Sequence, residues 1–103
     1  MYKLEFLPIA KDDMDNIIYY ISNNLKNSTA ARNLAESFIS GTDNILMFPY
    51  GSPIYKLKGT LKNKYRSIKI KNFLMFYTIN EEKKIITIVR VLYQKMNIKK
   101  ILD

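Results

Sequence analysis

The chain has 103 residues, 48% of them apolar, with 17 Lys or Arg, 9 Asp or Glu, no cysteine and no histidine. That length predicts one small domain over residues 1–103, and the apolar fraction excludes a disordered chain. Without Cys or His there is no disulfide, thiol nucleophile, zinc–thiolate site or imidazole base.

Charge is unevenly spread. Residues 1–53 carry four basic and six acidic side chains, whereas residues 54–103 carry thirteen basic and three acidic. No acidic residue lies between Asp43 and Glu81, while Lys56, Lys58, Lys62, Lys64, Arg66, Lys69 and Lys71 all do. Such a field attracts polyanions or acidic protein surfaces. No apolar run approaches the ~18 residues of a membrane span, and no signal-peptide pattern opens the chain. The expectation is a cytoplasmic protein with no membrane partner.

Tyr2 to Leu7 alternates apolar and charged residues and reads as a strand with Tyr2, Leu4 and Phe6 on one face. Pro8 opens a helix, since proline at the first helical position sacrifices no hydrogen bond. Asp12, Asp13 and Asp15 suit the positive end of its dipole. Met14, Ile17, Ile18, Ile21 and Leu25 form its apolar stripe. Asn23-Asn24 and Lys26-Asn27-Ser28 interrupt the pattern, and Ser28 is a suitable cap for a second helix. Ala30, Ala31, Leu34, Ala35, Phe38, Ile39, Ile45 and Leu46 carry that helix onward. Gly41 weakens it by only about 1 kcal/mol. Pro49, Gly51 and Pro53 mark a loop.

Tyr65–Ile70, Phe73–Ile79 and Ile85–Leu92 then read as strands, with turns at Asn72 and at Asn80-Glu81-Glu82-Lys83. The last strand is apolar on both parities and belongs near the sheet centre. Asn97 to Leu102 reads as a short terminal helix. The expected fold is α+β, order β-α-α-β-β-β, with a helical hairpin packed on a small antiparallel sheet.

Two arginines stand out. Strand alternation places Arg66 with Ile68 and Ile70, and Arg90 with Ile86, Ile88 and Leu92. A charge on an apolar face needs a partner or an open cleft. For Arg90 the alternatives are an ion pair with a carboxylate of the first half, or an open concave surface beside Tyr93. The lysines are either a solvated face or phosphate-binding groups. The aspartates do not suggest a metal site, because positions 12, 13 and 15 cannot share one side of a helix. Tyr19, Tyr20 and Phe48, if exposed, would mark a protein interface.

Together these segments resemble the RelE/ParE superfamily of type II toxin–antitoxin toxins. The resemblance rests on Tyr2-Lys3-Leu4, on Ala10 to Ile17 with Tyr20-Ile21, and on Ala30-Ala31 leading to Phe48-Pro49 and Gly51. It continues in Tyr65-Arg66-Ser67-Ile68, Asn72 to Tyr77, and Val89 to Asn97. It implies a compact toxin neutralised by a cognate antitoxin and working without metal or cofactor. ParE-like members inhibit DNA gyrase. RelE-like members are metal-independent endonucleases that cut mRNA on the ribosome.

If the chain is a nuclease, the resemblance makes Arg66, Arg90 and Tyr93 its catalytic candidates. Lys64, Lys69, Lys71 and Lys95 are binding candidates. Three positions depart from the patterns of the superfamily. Leu74 stands where the RelE-like nucleases carry an arginine, Tyr93 where members of both kinds often have histidine, and Gln94-Lys95-Met96 where a double arginine is common. One such arginine is worth about a hundredfold in rate. The reading therefore leans to ParE, with the endonuclease as alternative and a basic RNA-binding module as a third.

Overall fold

The computed structural model describes residues 1–55 and 64–102. Its elements run β1 (Lys3–Phe6), α1 (Pro8–Tyr19), a π-helical turn (Tyr20–Asn24), α2 (Ser28–Met47), β2 (Arg66–Ile70), β3 (Phe73–Asn80), β4 (Ile85–Tyr93) and α3 (Ile98–Leu102). This is the expected α+β arrangement of a helical hairpin on a four-stranded sheet.

The sheet is mixed rather than wholly antiparallel. Its order is β1-β4-β3-β2. Both hairpins, β2–β3 and β3–β4, are antiparallel, but β1 runs parallel to β4, from Lys3 opposite Ile85 to Phe6 opposite Ile88. Short turns oblige antiparallel neighbours, whereas β1 reaches β4 only across the whole chain. β4 is interior, as its two-sided apolar run requires.

Leu7, in extended conformation, precedes the helix, and Pro8 is its first residue. No acidic residue lies in the first turn. The aspartates sit too far along for the dipole to account for them, since its effect fades within one turn. Between the helices the chain makes a π-helical turn and a left-handed residue, Lys26, with φ 51°. Asn27, not Ser28, caps α2: its side chain accepts the Ala30 N–H at 3.0 Å. Both residue types cap well, and Asn27 holds the non-helical backbone one residue earlier.

α2 runs unbroken through Gly41. A Cβ there would lie 2.4 Å from Ile70 Cδ1, so the missing side chain lets α2 settle against β2. Leu34, Phe38 and Ile45 bury the same side of α2 against Met75, Tyr77, Ile86, Ile88 and Val91.

A bulge divides β4. Tyr77 pairs with Ile88 but Phe76 with Arg90, leaving Val89 as the additional residue. Parity therefore reverses there. Ile86, Ile88 and Val91 face the helices. Arg90 and Leu92 face the other way with Phe76, so the alternation that grouped Arg90 with Ile86 and Ile88 fails at Val89. On that far face α3 places Ile98 over Phe76 and Leu92, with Leu74, Tyr55 and Tyr65 at the margin.

Candidate functional site

β1 ends its pairing at Ile88, where Leu7 N–H donates to the Ile88 carbonyl at 3.0 Å. Beyond that point α1 supplies Asp13 to the edge of β4. Its Oδ2 accepts the Val91 N–H at 3.0 Å, as a neighbouring strand would. The same carboxylate takes both forks of Arg90, Nε at 2.8 Å and Nη2 at 2.9 Å. The side chains are 24% and 14% exposed, so the pair is largely withdrawn from water. Asp13 holds the Arg90 guanidinium above its ordinary pKa, by hydrogen bonding first and by charge second. Of the two sequence alternatives for Arg90, the ion pair with a first-half carboxylate is the one present.

Arg66 lies on the opposite face of the sheet. It pairs across with Tyr77, on the side that faces the helices. Its Nη1 donates to the Ser52 carbonyl at 2.6 Å, and its guanidinium lies 5.0 Å from the centre of the Tyr50 ring. Tyr77, fully buried, donates its hydroxyl to the Pro49 carbonyl at 2.8 Å. These contacts fasten the segment after α2 onto the end of the sheet. Lys64 joins Arg66, Tyr50, Ile54 and Ile79 around a small recess of about 150 Å³.

Glu81, in the β3–β4 turn, completes this corner. It accepts the Tyr2 hydroxyl at 2.6 Å and the Tyr50 hydroxyl at 2.7 Å, and it pairs with Lys84. Lys84 and the two hydroxyls lower the Glu81 carboxyl to about 2, and Glu81 pushes the Tyr50 hydroxyl up to about 12. A glutamate in a polar turn gives no sign of such a role, because both tyrosines are remote in sequence.

Tyr93 is on a third surface. It pairs with Phe73 at the far end of the sheet from Arg66, the two rings 5.9 Å apart. It lines an apolar groove with Ile17, Tyr20, Ile21, Leu25 and Phe73. Lys69 and Lys71 border a different recess, between β2 and α2, and Lys95 is exposed beyond β4. Lys56, Lys58 and Lys62 lie outside the described residues.

The candidates are thus not brought together. Arg66, Arg90 and Tyr93 occupy separate surfaces, and Arg90 is engaged by Asp13. Leu74, at the position where an arginine marks the nuclease pattern, belongs to the apolar layer beside α3. Among the described residues no group of three acidic side chains is placed to hold a metal, and no helix is long and apolar enough to cross a membrane. Tyr19, Tyr20 and Phe48 are all more than half exposed, at 65%, 52% and 60%.

The family described as the ParE toxin of the type II toxin–antitoxin system parDE matches residues 4–98. No curated protein matches the chain at the sequence level. Among solved structures, the chromosomal ParDE system of P. aeruginosa is similar with a TM-score of 0.71 at 15% identity, over 90% of this chain and 96% of that one. The RelE–RelB complex of Pyrococcus horikoshii gives 0.58 at 14% identity, over 91% and 96%. The YoeB–YefM complex of Staphylococcus aureus gives 0.57 at 22% identity, over 90% and 97%. At such identities the structural likenesses speak for the fold alone, but the match over residues 4–98 spans nearly all of the chain: it belongs to the ParE toxin family of type II toxin–antitoxin systems.

Proposed function

We propose that this toxin arrests growth by inhibiting DNA gyrase and is held inactive by a cognate antitoxin. One observation carries the choice of target. The groups from which a phosphodiester-cleaving site would be built are dispersed over three surfaces, and Arg90 is already neutralised by Asp13. Cleavage without metal or histidine depends on several cations converging on one phosphate. A surface that docks on a large partner needs no such convergence, and the basic second half suits an acidic protein or a DNA-bound complex.

The test is made in cells expressing the toxin without antitoxin. Gyrase inhibition predicts loss of negative supercoiling in a reporter plasmid while messenger RNA stays intact through the onset of arrest. Early cuts in translated messages, with plasmid topology unchanged, would instead establish the ribosome-dependent endonuclease.

A further inference from the structure

Of the two strand arginines, one has a counter-ion and the other has none. Arg90 is held by the Asp13 carboxylate. Arg66, partly buried on the helix-facing side, has the Ser52 carbonyl at 2.6 Å and the Tyr50 ring at 5.0 Å. Among the described residues no carboxylate pairs with it. A guanidinium drawn partly out of water with its charge unmatched is costly, and an anion within reach removes that cost. The chain around it supplies no anion, since no acidic residue lies between Asp43 and Glu81. Glu81 touches the corner through the Tyr50 hydroxyl, but its carboxylate already serves Tyr2, Tyr50 and Lys84.

The corner holds that charge in a fixed position. The Tyr50 ring beside the guanidinium is tethered by its hydroxyl to Glu81 at 2.7 Å, and the Ser52 carbonyl anchors Nη1. A bridge between Ile54 and Arg66, with the Tyr55 N–H on the Tyr65 carbonyl at 2.7 Å, sets Ile54 alongside. Groups already held lose little freedom when a ligand arrives. The recess that these residues enclose with Ile79 and Lys64 is about 150 Å³. That is room for about five waters, enough for one phosphate group. It is below the ~300 Å³ at which small-molecule pockets begin. Lys64 is exposed and has no partner among the described residues, and no acidic side chain lines the recess. A guanidinium fork and an ammonium at one small recess suit the several oxygens of a phosphate. The other recesses differ. Arg90 borders one but is taken by Asp13, Asp15 lines the one between α1 and α2, and the one between β2 and α2 has lysines without an arginine.

We infer that this recess receives a phosphate of the DNA backbone, with the Arg66 fork on its non-bridging oxygens and Lys64 adding a second positive charge. The acid-free stretch between Asp43 and Glu81 suits a repeating string of phosphates rather than an isolated anion. The choice of DNA over RNA rests on the gyrase reading, because gyrase works on DNA. The inference adds to that reading a direct contact between the toxin and the DNA.

The chain has three arginines, Arg32, Arg66 and Arg90, so their side-chain Nε–H signals can be followed separately by NMR. The experiment adds four probes in turn to the folded full-length toxin: a short DNA duplex, a single-stranded RNA, inorganic phosphate and an oligoglutamate peptide. DNA should shift the Arg66 signal more than those of Arg32 and Arg90, and more than the other probes do. Affinity for the same duplex is read by fluorescence anisotropy over a range of salt. Lys64→Gln should weaken binding by about fivefold or more and lower the slope of log affinity against log salt by about 0.9, the share of one phosphate contact. Lys99→Gln, the same charge loss on α3, should stay within about twofold of wild type. Arg66→Lys keeps the charge but not the fork, so it should weaken binding with the salt slope unchanged. A merely structural Arg66 would lower the melting temperature on substitution and leave Lys64→Gln no different from Lys99→Gln, and that result would overturn the inference. An Arg66 signal that answers RNA, inorganic phosphate or the peptide more strongly than DNA would overturn it too. No gyrase is present, so failure here leaves the gyrase reading standing. Loss of that reading in a supercoiling assay, with the Arg66 response to DNA intact, would leave the DNA contact standing in turn.

Discussion

Asp13 does the work of a short strand and a counter-ion at once. It closes the edge of β4 at Val91 and accepts the Arg90 fork, so its removal strands a backbone donor and a guanidinium in partly dry surroundings. Asp13→Ala should destabilise the fold by about 2–3 kcal/mol, read from urea denaturation midpoints. Adding Arg90→Leu should recover part of that loss, because the double variant leaves no unpaired charge. Additive losses would show that the pair is not coupled. Glu81 offers a second test at this scale. Its carboxyl is lowered from 4.5 to about 2, so its contribution is present above the ordinary value and is lost as pH falls toward 2. Stability measured from pH 6 to pH 2 should therefore fall less steeply for Glu81→Gln than for wild type. Parallel acid limbs would contradict the Tyr2–Glu81–Tyr50 corner. The sequence offered Arg90 a first-half carboxylate without naming it: Asp13 stood as one of three similar aspartates, and Glu81 as a turn residue, because their partners are 77 and 79 residues away in the chain.

At the scale of elements, the local patterns were readable and the long-range ones were not. The apolar stripes of α1 and α2, the two hairpin turns and the terminal helix all follow from spacing within a few residues. The parallel placement of β1 depends on a partner more than eighty residues on, and nothing near β1 encodes its direction. The bulge at Val89 is a single-residue event between Ile88 and Arg90, with no glycine to mark it, and it moved Arg90 to the opposite face. The α2–β2 contact gives a further prediction. Gly41→Ala would gain about 1 kcal/mol of helix propensity, but overpacking Ile70 costs about 1–3 kcal/mol. The expected net effect is a loss of about 1 kcal/mol in thermal or chemical denaturation. A stabilised variant would mean that Ile70 has room to move aside.

Over the whole molecule, the uneven charge first read from the sequence acquires a more specific meaning. The superfamily was readable from ordered short segments, whereas the arrangement of the site depended on which face each arginine took. Arg90 is spent within the fold, and Arg66 is bound to Ser52 and Tyr50 at the opposite corner. At the end of the helical hairpin Tyr20, Leu25 and Tyr93 leave an apolar groove open to water. The central claim is that the toxin acts by inhibiting gyrase rather than by cutting RNA. The most direct measurement is the supercoiling of relaxed plasmid by purified gyrase, with toxin added alone or with antitoxin. The account predicts inhibition that rises with toxin and is reversed by antitoxin. Undiminished supercoiling at a clear molar excess of folded toxin would contradict it.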